Sequence, residues 1–199
     1  MFWDKVSPIY DLFENIYNRR VYNGTGEAVA DLIDGSVEVL ECACGTGAIS
    51  KYLAPKCSRL IATDFSDGML RQARKKLKDN RNVTVEKADI TNLQYDDATF
   101  DAVVAGNVIH LLTEHEKALA ELKRVTKKDG KIIIPTYINM SKSCNQAAAG
   151  FLGFLGADFK RQFDMESYQD FFEKQGYSDV KYYVVDGRMP CAIAMIFNE

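Results

Sequence analysis

The chain lacks a basic charge excess, a long apolar run and any pair of cysteines at C-x-x-C spacing. Its 25 Lys and Arg against 28 Asp and Glu give a net charge of -3, which argues against nucleic acid as the main partner. No stretch approaches the roughly 18 apolar residues of a membrane span, and the N-terminus has no apolar signal-peptide core. The five scattered cysteines predict reduced thiols in the cytoplasm.

What is present is an ordinary globular composition, 47% hydrophobic over 199 residues, which predicts one domain. Short apolar runs alternate with amphipathic helical patterns, as in α/β folds with a parallel sheet. The last two runs are separated only by GRMP, so they must form an antiparallel hairpin. The sequence therefore predicts a Rossmann-like, doubly wound α/β fold with a mainly parallel seven-stranded sheet. The expected strands are 37–42, 59–64, 83–89, 100–107, 130–138, 180–186 and 191–197.

Two helices between these strands can be predicted in detail. In residues 66–79, one face carries the apolar residues Met69, Leu70, Ala73 and Leu77. The other helix is expected to begin at Thr113 as a polar N-cap and to end at Gly130 after two lysines.

The single domain, 1–199, divides into four expected parts. Residues 1–35 form an N-terminal helical cap and residues 36–138 a cofactor-binding core. Residues 139–163 are a lid inserted after the fifth strand, and residues 164–199 supply a helix and the hairpin. Long insertions in compact domains are commonly functional, although a packing helix and a mobile loop remain the alternative interpretation of the cap and lid.

The stretch VLECACGTG joins the first strand to a tight turn with Gly45 and Gly47. Glycines let a ligand approach the backbone closely. The dinucleotide pattern G-x-G-x-x-G is not matched, because Ser50 stands at the third glycine position. This loop alone is a weak signal.

Carboxylates at three successive strand ends are more informative. Glu41 precedes the glycines, where it would repel a pyrophosphate and suit a cationic ligand. Asp64 ends the second strand at the spacing expected for a carboxylate on ribose hydroxyls. Asp89 is the carboxylate at the end of the third strand. Together they indicate a ligand with a nucleoside and a positive group.

These motifs resemble the class I S-adenosylmethionine-dependent methyltransferases, of the small-molecule type related to ubiquinone and menaquinone biosynthesis. The resemblance covers residues 36–137 well. ECACGTG matches the family's acidic residue followed by G-x-G-x-G, with Ala43 in place of the first glycine, which implies that this position need not adopt positive φ. The resemblance implies S-adenosylmethionine as cofactor, S-adenosylhomocysteine as product, and in-line methyl transfer to a small molecule.

The resemblance also implies residue roles. The methionine part would lie against Glu41, Ala43, Gly45 and Gly47, the ribose against Asp64, the adenine against Phe65, Met69, Ala88, Asp89 and Ile90, and the sulfonium end against Asn107. Tyr10 would close over the cofactor from the N-terminal helix, with ordinary helix packing as the alternative. Met69 could equally be a core residue, and Asp89 could simply cap a turn.

Methyl transfer is catalysed mainly by holding the methyl donor and the acceptor in the reacting geometry. A base is needed only for an acceptor that must lose a proton. The candidate catalytic residues are His110, after the fourth strand, and Tyr137, at the end of the fifth. His110 could instead close the turn against its leucine neighbours. His115 is expected to be solvated. Tyr17 and Arg188 are further candidates, Arg188 for an anionic acceptor or as a solvated charge.

Other functions remain open at this point. Cys42 and Cys44 are interpreted as small buried packing residues, with no metal site. A Rossmann-type oxidoreductase and a non-catalytic cofactor-binding scaffold are the alternative functions. We expect a monomer or homodimer without nucleic acid or stable membrane insertion. A rim of aromatics would allow transient membrane contact: Phe2, Trp3, Phe13, Phe151, Phe154 and Phe159.

Overall fold

The structure, a computed structural model, describes residues 2–35, 37–139 and 161–199. Two helices, α1 (Phe2–Tyr17) and α2 (Arg19–Asp31), precede the first strand. The other helices are α3 (Ser50–Leu53), α4 (Asp67–Lys76), α5 (His115–Val125) and α6 (Met165–Lys174), with 3₁₀ turns at Ala54–Lys56 and Ile109–Leu111. Most of the expected lid, including Phe151, Phe154 and Phe159, lies outside the described residues.

The predicted seven-stranded sheet is confirmed, with the order β3-β2-β1-β4-β5-β7-β6. The strands are β1 (Glu38–Cys42), β2 (Arg59–Asp64), β3 (Val83–Lys87), β4 (Phe100–Ala105), β5 (Thr126–Tyr137), β6 (Val180–Val185) and β7 (Cys191–Phe197). β1 to β5 run parallel, and β7 pairs antiparallel with both β5 and β6. The hairpin therefore forms as its short connection requires.

The core lies in two layers, one on each face of the sheet. Along β1, Leu40 and Cys42 face the layer that α5 and α6 cover, while Val39 faces the layer of α2, α3 and α4. This alternation is the period of two that a strand imposes on its side chains. Helices on both faces make the sheet doubly wound, as predicted.

The α4 prediction is confirmed and the α5 prediction is wrong at both ends. Met69, Leu70, Ala73 and Leu77 are all buried. α5 begins at His115 rather than at Thr113, and it ends at Val125, because Thr126 already has extended backbone and pairs with Phe100. The stretch to Gly130 belongs to β5, where Asp129 has a φ of 62° and the pairing with β4 shifts register.

Helix α1 has an unusual distribution of side chains. The polar residues Ser7 and Glu14 are buried, whereas Ile9, Leu12 and Ile16 are 53%, 62% and 76% exposed. An ordinary amphipathic helix buries its apolar stripe. The inward polar face of α1 therefore needs polar partners, and they lie around the cavity described next.

Candidate active site

A cavity of 480 Å³ opens at the carboxyl ends of the parallel strands, beneath α1 and α2. This volume is in the range of about 300–1,000 Å³ that is typical of small-molecule sites. Four predicted site residues, Gly47, His110, Tyr17 and Arg188, do not line it. All the others do: Tyr10, Glu41, Ala43, Gly45, Asp64, Phe65, Met69, Ala88, Asp89, Ile90, Asn107 and Tyr137. The structure thus brings together residues that are spread over 128 positions of the chain.

The loop after β1 takes left-handed backbone at alternate positions. Ala43, Gly45 and Gly47 have φ values of 54°, 55° and 81°. The expectation that Ala43 need not adopt positive φ is therefore wrong, since the turn imposes that conformation although it costs an alanine about 1 kcal/mol. Gly45 lines the cavity, and a Cβ added there would meet no protein atom within 4 Å.

Gly47 serves helix packing instead of the cavity wall. A Cβ there would lie 3.3 Å from Leu77 and 3.6 Å from the backbone of Ala73 in α4. The glycine therefore permits close approach of loop and helix, and the structure does not bring it into the cavity lining.

Asp64 holds the glycine loop by hydrogen bonds to its two oxygens. Oδ2 accepts from the N–H of Gly45 at 2.9 Å, and Oδ1 accepts from the N–H of Ser66 at 2.8 Å. Partial burial raises the pKa of Asp64, and these backbone donors counteract the rise. Each carboxylate oxygen has a second lone pair with which to accept from a ligand hydroxyl.

Glu41 is 1% exposed and lies on the same side of the sheet as α3. Its Oε2 accepts a hydrogen bond from the Ser50 hydroxyl. Burial, together with the nearby charge of Asp64, raises the pKa of Glu41 to about 8. A cationic group bound in this cavity would stabilise the ionised form of Glu41.

Asp89 and Phe65 form the exposed end of the cavity. Asp89 lies two residues beyond β3, which ends at Lys87 and not at 89 as predicted. Its Oδ1 accepts from the N–H and hydroxyl of Thr91, so it does cap a turn while also lining the cavity. The Phe65 ring is 51% exposed and could cover a flat ligand group.

Sequence reasoning missed the acidic residues of α1 that fasten the helix over the cavity. Asp11 accepts from Thr46 in the glycine loop and pairs with Lys76 of α4 at 2.6 Å. Asp4 accepts from the N–H of Gly68 at 2.8 Å, which lowers the pKa of Asp4. No local pattern in α1 marks these residues, because their partners lie far along the chain.

A third missed residue is Glu14, which is buried behind the cavity wall. The hydroxyl of Tyr137 donates to Glu14 Oε2 at 3.2 Å, and Tyr10 hydrogen-bonds to the same carboxyl. Burial raises the pKa of Glu14 to about 7. Tyr137 was predicted from its position at the end of β5, but Glu14 was not.

His110 lies where its alternative interpretation placed it, in the turn after β4, and His115 is not solvated as expected. His110 is 8% exposed and outside the cavity lining, and burial lowers its pKa to about 4. The geometry thus gives no support to His110 as an acceptor-facing base. His115 was predicted to be solvated but is buried, 5.2 Å from the Phe171 ring and 2.9 Å from Glu116.

The further candidates Arg188 and Tyr17 lie outside the cavity lining, whereas Cys44 is part of it. Arg188 is exposed and its guanidinium stacks over the ring of Tyr17 at 4.9 Å. Cys42, Cys44, Cys57 and Cys191 are buried thiols, as the packing interpretation predicts. Across residues 2–35, 37–139 and 161–199, no cluster of side chains suits a metal ion.

Comparison with known proteins agrees with this geometry. Residues 40–134 match the family model described as a methyltransferase domain. The chain is 36% identical over 136 residues to a demethylmenaquinone methyltransferase of Clavibacter sepedonicus, covering 66% of the chain and 55% of that relative. It is 31% identical over 137 residues to a ubiquinone/menaquinone biosynthesis C-methyltransferase of Citrifermentans bemidjiense, covering 65% and 58%.

The chain is therefore similar to S-adenosylmethionine-dependent methyltransferases, and its residues 40–134 match the methyltransferase domain family. It spans little more than half the length of the curated relatives it matches. A solved structure from Thermotoga maritima, described as a S-adenosylmethionine-dependent methyltransferase and possible histamine N-methyltransferase, superposes with a TM-score of 0.77. At 21% identity, covering 100% of this chain and 99% of that one, it shows the methyltransferase fold.

The cofactor of this methyltransferase family, S-adenosylmethionine, fits the residues of the cavity. Glu41 would offer a carboxyl to a cationic amino group, and Asp64 would offer acceptors to paired hydroxyls. Ile90 and Met69 offer apolar walls to a base, and the open space at Gly45 admits a ligand to the backbone. The donor set therefore suits this group better than a pyrophosphate.

Proposed function

We propose that this chain transfers a methyl group from S-adenosylmethionine to a small-molecule acceptor. The observation that carries the proposal is the arrangement of Glu41, Asp64 and Asp89 around one cavity with the loop at Gly45. When bound, the cofactor supplies a methyl group on a sulfonium, which a nucleophile can displace in line without further activation.

The residue roles proposed for the cofactor follow the cavity lining. Glu41 accepts from the amino group, Ala43 and Gly45 border the methionine part, and Asp64 accepts from the ribose hydroxyls. Phe65, Met69, Ala88, Asp89 and Ile90 surround the adenine. The backbone N–H of Asn107 donates to Pro135 at 2.8 Å, so only other atoms of Asn107 are free to face the sulfonium end.

The acceptor part of the cavity is proposed to lie beneath α1 and α2. Trp3, Tyr10 and Tyr22 line the cavity from these helices, and Tyr137 lines it from β5. These aromatic side chains favour an acceptor with an apolar or aromatic body. The demethylmenaquinone and ubiquinone/menaquinone methyltransferases to which the chain is similar support an acceptor of this kind.

The four parts of the single domain, 1–35, 36–138, 139–163 and 164–199, remain a proposal, as does the lid role of residues 139–163. We further propose a cytoplasmic location, because the four described cysteines are free thiols. As the oligomeric state we propose a monomer or a homodimer. In the part of the chain that the structure describes, every helix falls short of the length and apolar content of a membrane span.

Two binding titrations test the function. The chain should bind S-adenosylhomocysteine and show no saturable binding of NAD, since the loop lacks the third glycine and carries Glu41. A screen of radiolabelled S-adenosylmethionine against small phenols, amines and thioethers should then give methylated product. Tight NAD binding would favour an oxidoreductase, and cofactor binding without product would favour a non-catalytic scaffold.

A further inference from the structure

The buried carboxyl of Glu14 is connected to the cavity through tyrosine hydroxyls. Glu14 is 2% exposed and is not part of the cavity lining, whereas Tyr10 and Tyr137 are. The Tyr137 hydroxyl donates to Glu14 Oε2 at 3.2 Å across 123 residues of sequence. The Glu14 carboxylate, a proton acceptor, is thus connected to the cavity through the single hydroxyl group of Tyr137.

The surroundings of Glu14 disfavour its ionised form, but the carboxyl can still ionise near neutral pH. Asp11 and Tyr10 face it from α1, Tyr22 faces it from α2, and Tyr137 and Cys191 face it from the sheet. None of these groups is cationic, so in the described part of the chain no positive charge stabilises the ionised form. Burial consequently raises the pKa of Glu14 to about 7, where a carboxyl exchanges protons readily at neutral pH.

We propose that Glu14 and Tyr137 form a proton relay for acceptors whose attacking atom carries a proton. Tyr137 is the catalytic residue that touches the acceptor, and Glu14 is the positioning residue that takes the proton from it. This inference rests on the proposed methyltransferase function and extends it to the class of acceptor, namely hydroxyl or ammonium compounds.

The proposed proton transfer conserves atoms and charge. The acceptor atom forms its bond to the methyl carbon while the carbon–sulfur bond breaks and its electron pair stays on sulfur. The acceptor's proton passes to the Tyr137 oxygen, and the hydroxyl proton of Tyr137 passes to the Glu14 carboxylate. Tyr137 is neutral before and after, so burial, which raises its own pKa, does not oppose the step. Glu14 later returns the proton to water.

The first test needs no acceptor. In infrared difference titrations with S-adenosylhomocysteine added, wild-type protein should show one carboxyl that titrates near pH 7 and that is missing in Glu14→Gln. Tyr137→Phe should move this titration to higher pH, because the Tyr137 hydrogen bond lowers the pKa of Glu14. A Glu14 band that titrates below pH 5, or that ignores Tyr137→Phe, would overturn the relay.

The second test measures methyl transfer to phenols and primary amines, with thioethers as acceptors that carry no proton. Glu14→Gln and Tyr137→Phe should each lower turnover of the protic acceptors about 100-fold and leave thioethers unaffected. The double variant should be no slower than either single variant, since the two residues act as one unit. Glu14→Asp should restore part of the rate, and Glu38→Gln, at the start of β1 and outside the cavity lining, serves as the control and should turn over as the wild type does.

The pH profile separates a relay from a structural role. Wild-type turnover should rise with pH through a single ionisation near 7, and this limb should vanish in Glu14→Gln. Equal rates and profiles in wild type and Glu14→Gln would overturn the relay while leaving the methyltransferase proposal intact. Failure of S-adenosylhomocysteine to bind would instead overturn the proposed function itself.

Discussion

The carboxylate of Asp64 accepts a 2.9 Å hydrogen bond from the backbone N–H of Gly45, 19 residues earlier in the chain. This bond joins the end of β2 to the loop that follows β1, and both residues line the cavity. One side chain therefore shapes the glycine loop and offers its remaining acceptor capacity to a ligand.

Removal of this carboxylate should weaken cofactor binding. Asp64→Ala leaves the Gly45 and Ser66 N–H groups without their partner and removes the proposed acceptor for ribose hydroxyls. We expect a loss of about 1–3 kcal/mol in binding S-adenosylhomocysteine, measured by calorimetric titration. Asp67→Ala, which removes an exposed carboxylate in the next turn, is the control and should bind as the wild type does.

Cofactor binding should release protons from Glu41. The raised pKa of about 8 means that Glu41 is largely protonated at pH 7, and an ammonium group beside it would lower that pKa. Titrations at pH 7 in phosphate and in Tris, which differ in ionisation enthalpy, should show release of a fraction of a proton per ligand. Glu41→Gln should abolish the release. Identical proton release in this variant would exclude Glu41 as its source.

The α1 helix should couple to cofactor affinity through Asp11. Burial alone would raise the pKa of Asp11, but hydrogen bonds from Lys76, Thr46 and Tyr22 outweigh it and lower the pKa. Asp11→Asn should cost about 1–2 kcal/mol of stability, a value reduced by partial exposure. It should also weaken S-adenosylhomocysteine binding, whereas the exposed Asp31→Asn should change neither. An unchanged affinity in Asp11→Asn would show that α1 does not hold the loop.

The contribution of Glu14 to stability should fall as pH rises, because its carboxyl is more basic in the folded chain than in the unfolded one. Its pKa rises from 4.5 to about 7, so the folded state binds more protons between these values. Linkage then lowers the free energy of unfolding by about 3 kcal/mol between pH 4.5 and 7. In urea titrations, the free energy of unfolding of Glu14→Gln minus that of the wild type should be more positive at pH 8 than at pH 5. A constant difference would contradict the raised pKa.

The backbone of the glycine loop can be tested by Ala43→Gly. Glycine removes the left-handed penalty of about 1 kcal/mol at a φ of 54°, partly offset by the greater entropy of unfolded glycine. Ala43→Gly should therefore unfold at the same or higher urea concentration. Ala54→Gly, at a φ of -50°, should destabilise the chain.

The sheet was predictable from the sequence, because strands buried on both faces, such as β4 and β5, are continuous apolar runs, and a four-residue link allows only a hairpin. The prediction from sequence was wrong where contacts with distant residues determine the backbone conformation. Thr126 leaves the helix because it pairs with Phe100, although the lysines that follow continue a helical pattern. Ala43 takes positive φ because the turn between β1 and α3 requires it.

The site was predictable where a motif fixes its residues to strand ends, as at Glu41 and Asp64. Glu14 was not predictable, since its role depends on Tyr137, which lies 123 residues away and on another element. His115 likewise has polar neighbours in sequence, yet it is buried against Phe171 from α6. Local polarity therefore misleads wherever tertiary contacts supply the partner.

The most direct test of the central claim is a calorimetric titration of wild type and Asp64→Ala with S-adenosylhomocysteine, with NAD as the competing ligand. We expect saturable binding of S-adenosylhomocysteine to the wild type, weaker by about 1–3 kcal/mol in Asp64→Ala, and no binding of NAD. Saturable NAD binding, or equal S-adenosylhomocysteine affinity in both proteins, would contradict it.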